Sequence, residues 1–142
     1  MARATRQFSA RLPADMLSAL DERTQQTGES RSRLAERLID EGLRMERHPG
    51  IAFRDGPAGR RPGITGGPDV WEAIAALRGR PERGEAAVAA LADHLALSPA
   101  QVRAAVGYYA QWPEEIDAWI ERNDREAEAA EAAWRREQAA LA

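Results

Sequence analysis

The side chains of this 142-residue chain that could do chemistry are few and scattered. There is no cysteine, so disulfides and thiolate metal sites are excluded. The two histidines, His48 and His94, stand alone and share no spacing that two ligands of one metal would have. No nucleophile lies near a histidine, and no acid pair is set in an evident cleft. The glycines of residues 49–68, PGIAFRDGPAGRRPGITGGP, lack the lysine and the strand-glycine-helix order of a phosphate-binding loop. The carboxylates lie at spacings that favour solvated helix faces and i,i+4 arginine pairs. The sequence therefore predicts no catalytic residue, no metal and no cofactor. What remains is charge that binds.

That charge is unevenly placed. Overall it is −3, but residues 1–14 carry Arg3, Arg6 and Arg11 with no acid, while residues 84–142 carry five arginines against eleven acids. A basic arm on an acidic body suits a nucleic acid at one end only; a solvated tail has the same composition. Within the arm, in TRQFSARLP, Phe8, Ala10 and Leu12 alternate with Gln7, Ser9 and Arg11. That is the period of a strand with one buried and one wet face. No other run reads clearly as a strand, and a lone strand leaves its N–H and C=O groups unpaired. Either the reading fails or a second copy of the chain supplies the partner.

The elements that must hold this arm are helical. Pro13 suits a first helical turn, and Leu17, Leu20 and Thr24, with Met16 beside them, recur at helical steps until Gly28 stops the helix. Ser30 is placed to cap a second helix, whose apolar face is Leu34, Leu38, Ile39 and Leu43 and which ends near Arg47, before Pro49-Gly50. Residues 49–67 read as a Gly/Pro-rich linker with at most a short extended piece near Ile51–Phe53 or Ile64. Residues 68–112 read as a small helical domain. Val70, Trp71, Ile74 and Leu77 make one stripe. EAAVAALADHL and SPAQVRAAVGYYAQW, joined by a tight turn with Ser98 as N-cap and Pro99 behind it, make a helix-turn-helix-like pair. Its second helix offers only Gln101 and Arg103 as polar readers, and Val102, Val106, Tyr109 and Trp112 read as core, so a packed domain is expected rather than a second reader. Residues 113–142 read as one long helix with a narrow stripe of Ile116, Ile120, Asn123, Ala127, Ala130, Trp134 and Leu141, waiting for a partner. No apolar run approaches the ~20 residues that span a bilayer, and no signal peptide is evident. A cytoplasmic location with no membrane partner is expected.

The strand, Pro13, the two helices and the GESRSRL between them resemble the ribbon-helix-helix DNA-binding family of the Arc, MetJ and CopG type, over about residues 5–47. The resemblance implies that residues 1–48 form a DNA-binding and dimerisation domain. Its strand would pair antiparallel with that of a second chain, and the two-stranded ribbon would enter the major groove of operator DNA. Phe8, Ala10 and Leu12, with Leu34 and Leu38, would then form the dimer core. Gln7, Ser9 and Arg11 would face base edges, arginine suiting guanine and glutamine adenine. Arg3 and Arg6, with Ser30, Arg31 and Ser32 at the start of the second helix and Arg33 beside them, would meet phosphates.

Residues 49–124 resemble the homeodomain-like, VapB-like domains of antitoxins found beside PIN-type ribonuclease toxins. The expected architecture is mainly α: the ribbon-helix-helix with its one intermolecular strand, a helix-turn-helix-like domain, and a long C-terminal helix. The expected function is a homodimeric or higher-order DNA-binding antitoxin that represses its own operon and neutralises a toxin through Ile116, Trp119, Ile120, Ala127 and Trp134. The alternative is a stand-alone repressor whose C-terminal region mediates oligomerisation or effector sensing.

Overall fold

The computed structural model describes residues 2–142. It is mainly helical, with six helices and one small antiparallel sheet among the described residues. The chain divides into two compact units, the first ending at Leu43 and the second running from Arg44 to Ala142.

In the first unit, residues 2–12 belong to no helix and no strand of the chain. Helix α1 (Ala14–Thr27) follows, and α2 (Arg31–Arg47) continues past the unit boundary. Pro13 is the N-cap of α1 rather than its first helical residue, with an extended ψ of 146°, and its carbonyl accepts from the Leu17 amide at 3.1 Å. Gly28 ends α1 in the left-handed conformation at φ 74°, its amide bonded to Thr24 O. A Cβ there would meet nothing within 4 Å, so the backbone angle alone demands glycine. Ser30 caps α2: its Oγ accepts from the Arg33 amide at 3.2 Å and its carbonyl from the Leu34 amide at 2.9 Å. Leu34 is the buried hydrophobic residue of this unit, and α1 buries none.

The second unit corrects the expected linker. Residues 49–67 hold a hairpin of β1 (Ile51–Arg54) and β2 (Arg61–Ile64), with Ile51 opposite Ile64 and Arg54 opposite Arg61. Ile51 and Ile64 enter the core, and Pro62 is tolerated because each strand of a two-stranded sheet is an edge. Asp69 sits beneath the hairpin, nearly buried, where its carboxylate takes both the Arg54 and the Arg61 guanidinium. Its amide donates to Glu72 Oε2 at 3.0 Å, closing the first turn of α3 (Val70–Arg78). Helices α4 (Gly84–Leu95) and α5 (Pro99–Gln111) follow, joined by a turn in which Ala96 is left-handed at φ 53°. Ser98 and Gln101 complete a reciprocal capping box with Pro99 at the first turn.

The last helix, α6 (Pro113–Leu141), corrects a second expectation. Its first two turns have a core to cover after all. Ile116 and Ile120 pack with Ile51, Ile64, Val70, Ile74 and Tyr108 in one cluster, while Val88, Leu91, Ala92 and Val102 form another between α4 and α5. The deepest aromatic side chain is Tyr108, fully buried, rather than Tyr109. Its hydroxyl donates to Glu115 Oε1 and accepts from Arg44 Nη1, both at 2.8 Å, and Arg44 Nη1 also donates to Glu115 Oε2 at 2.6 Å. Burial, helped by the Glu115 carboxylate, pushes the Tyr108 hydroxyl well above its usual pKa. Burial works against the Arg44 charge, but its bonds to Glu115 and Tyr108 outweigh this and raise its pKa. The cluster is therefore a charged, hydrogen-bonded pin inside an apolar core. No described helix is long and apolar enough to cross a membrane.

Candidate nucleic-acid interface

The arm owes its exposure to what the first unit lacks. Two helices with Leu34 buried between their sequences offer no sheet on which residues 5–12 could pair, and every residue from Ala2 to Ser18 is exposed. Gln7, Ser9 and Arg11 lie in this stretch, as do Phe8, Ala10 and Leu12, with Phe8 81% exposed. The apolar alternate positions are thus as open as the polar ones. Arg3, Arg6 and Arg11 pair with no acid among the described residues, so three guanidinium forks are free for an anionic partner.

The expected dimer core divides accordingly. Leu34 is buried within its own chain and is not available to a second copy, whereas Phe8, Ala10, Leu12 and Leu38 are exposed. Met16, Leu17, Ile39 and Leu43 are exposed with them. These four carry the helical apolar period in sequence, which is the signal that could have placed them beside Phe8 and Leu12 as interface residues.

At the start of α2 the phosphate candidates separate. Ser30 spends its oxygen on the cap, and Ser32 is exposed. Arg31 departs from expectation: its Nε and Nη2 grip the two oxygens of Asp21 at 2.8 and 2.7 Å, so its charge is already matched. Arg33 is exposed and has no acid partner among the described residues. Of these two arginines, only Arg33 keeps its charge unmatched. Glu29, drawn to Arg37 Nη2 at 2.8 Å, has its carboxyl held below the usual range by that hydrogen bond. No family model matches the chain, and no curated protein or solved structure matches it.

In the helix-turn-helix-like pair of the second unit, both polar residues near the start of α5 are engaged within the chain. Gln101 is committed to the Ser98 amide at 2.8 Å and to Thr65 O at 3.1 Å, and Arg103 to Glu85. Gln101 therefore ties the start of α5 to the turn after β2, whereas Arg103 makes an exposed ion pair.

The expected partner-binding residues of α6 divide too. Ile116 and Ile120 are core, because the hairpin, α3 and α5 supply the surface that the sequence seemed to lack. Trp119 is half-buried and lines a cleft of about 270 Å³ with Pro57, Trp71, Glu72, Arg122 and Asn123 among its walls. Arg122 braces that cleft, its guanidinium 4.3 Å over the Trp119 ring and its Nη2 donating to Ala58 O at 2.6 Å. Ala127 and Trp134 lie farther out and are exposed, Trp134 by 59%.

Proposed function

We propose that the chain is a homodimeric, DNA-binding antitoxin that represses its own operon through its arm and engages a protein toxin through its second unit. One observation carries the DNA-binding half. The arm leaves both its backbone and its alternate apolar side chains unpaired, beside an exposed apolar face on α1 and α2. A second copy answers both needs, since antiparallel pairing of two arms fills the inner edge of each, and the exposed apolar side chains of α1 and α2 are available to cover the Phe8, Ala10 and Leu12 face. The opposite face then presents Gln7, Ser9 and Arg11 from two chains, on a two-stranded ribbon of a width that the major groove accepts. Arg3, Arg6 and Arg33, with the start of α2, flank it as phosphate contacts.

The toxin-binding half rests on the cleft between the hairpin tip and α6. Two indoles beside charged groups that can exchange partners are what interface anchors look like. Footprinting on the DNA upstream of the gene tests the first half: the chain should protect a two-fold symmetric site, and loss of Arg11 should abolish that protection. Ala58→Trp tests the second, because it fills the cleft from an exposed position. It should end toxin neutralisation and leave DNA binding intact. The alternative, a stand-alone repressor that oligomerises through its C-terminal region, is favoured by one observation, the spacing of side chains on the outer half of α6.

A further inference from the structure

Helix α6 is 29 residues long, yet its contribution to the core ends at Ile120. The remainder is exposed apart from partial cover at Arg122 and Ala133. Most helical stability in proteins comes from tertiary packing of an apolar face, so an outer half this bare calls for a partner. Its side chains are arranged as a seam. Ile120, Ala127, Trp134 and Leu141 recur every seven residues, and Ile116, Asn123, Ala130 and Glu137 each lie four residues ahead of them. That is a heptad with both sets on one face. Its first members are buried in the unit, and the stripe runs on into solvent through Ala127, Ala130, Trp134 and Leu141.

We infer that this outer half of α6 pairs antiparallel with the same segment of a second copy of the chain. Charge decides the occupant and its direction. Residues 121–131 carry five acids against two arginines, whereas residues 132–142 carry Arg135 and Arg136 against Glu137 alone. Side by side in parallel, two copies would stack acid on acid and set Glu126 of one against Glu131 of the other. Antiparallel, the arginine-bearing end of each copy lies along the acidic stretch of the other. Arg135 already bonds Glu131 within its own helix and can share that carboxylate across the seam. Shape agrees: with Trp134 over Ala130 of the second copy, each bulky ring meets a small residue, twice about a two-fold axis. Alanines at 127, 129, 130, 132 and 133 let the helices approach closely.

This pairing does not depend on the arm. With the arm it gives each chain two self-complementary interfaces. Sedimentation of the full chain separates the two. Leu12→Asp, at an exposed position, should break arm pairing and leave a dimer held by α6. Adding Ala130→Arg, which fills the space for Trp134, should halve that mass to a monomer. If the Leu12→Asp chain is already a monomer at micromolar concentration, α6 pairing is wrong and its exposed stripe is free for another protein. If Leu12→Asp changes nothing but Ala130→Arg alone gives monomer, the seam stands and the arm reading falls. Because the chain has no cysteine, direction can be read by disulfide formation. An equimolar mixture of Asp124→Cys and Gln138→Cys chains should form mixed disulfides, whereas a mixture that dimerises without forming them would overturn the antiparallel arrangement.

Discussion

The two units of this chain solve the burial problem differently. From Arg44 onward a hairpin and four helices enclose their own core, and they pair Asp69 with two arginines and Tyr108 with Arg44 and Glu115. The Trp112 indole nitrogen is buried without a hydrogen-bond partner among the described residues. Before Leu43, Leu34 is the only hydrophobic residue buried among those described, and Phe8, Leu12, Met16, Leu17, Leu38 and Ile39 lie open. A few apolar contacts do not offset the conformational entropy of ordering some forty residues, which is of order 1 kcal/mol or more for each. The second unit buries a core of its own. The first buries little, and its openness is what the proposed ribbon exploits.

The largest effect expected from breaking this contrast lies in the self-contained unit. Tyr108→Ala should cost about 3–5 kcal/mol in denaturant unfolding, combining a large cavity with the loss of its partners. Tyr108→Phe, which keeps the ring and the Arg44–Glu115 pair but removes the hydroxyl that bonds both, should cost about 1–3 kcal/mol. Phe8→Ala, equally an aromatic truncation, should leave the unfolding of the second unit unchanged while weakening self-association. Equal costs for the two aromatic truncations would erase the distinction between the units.

The next effect is on DNA. Arg11→Ala should lose about 1–3 kcal/mol on operator and much less on scrambled DNA, as removal of a bidentate base contact does. Arg3→Ala should weaken both alike and flatten the dependence on salt by about one counterion. Gel-shift titration at several salt concentrations reads both, and a uniform loss for Arg11→Ala would remove its base-reading role.

Smallest are the exposed ion pairs. Asp21→Ala, which releases Arg31, should change stability by no more than about 1 kcal/mol. It should instead raise DNA affinity slightly, because it frees a cation beside the start of α2. In the second unit the Arg78 guanidinium, with Tyr109, holds the Asp117 carboxyl below its usual range. A folded pKa below the unfolded one means that this contribution is present at neutral pH and fades as pH falls through the acid range. Asp117→Asn should therefore flatten the acid side of the stability profile by a small amount, measurable in melts across pH.

How far the sequence carried differs between the same two regions. The helix stops at Gly28 and before Pro49, and the caps at Ser30 and Ser98, were legible because each depends on one residue and its immediate neighbours. The hairpin was not, because Pro62, Gly63 and the surrounding glycines read as a linker. Its two strands are four residues each, too short for alternation to declare itself. Missing the hairpin made α6 look unsupported, and so Ile116 and Ile120 were assigned to a partner when Ile51 and Ile64 are their neighbours in the core. Tyr108 and Tyr109 are adjacent, and only the packing of α5 against α6 tells which is inside. Arg31 read as free because Asp21, ten residues away, becomes its partner only once the turn at Gly28 is made.

The central claim is that the arm is one strand of a ribbon shared by two chains. Amide hydrogen exchange on the full chain, followed as it is diluted, tests this most directly. Amides in residues 6–12 should be protected at high concentration and lose that protection on dilution, while those of α3 and α5 do not change. Arm amides that exchange at the unfolded rate at every concentration, with or without operator DNA, would contradict it.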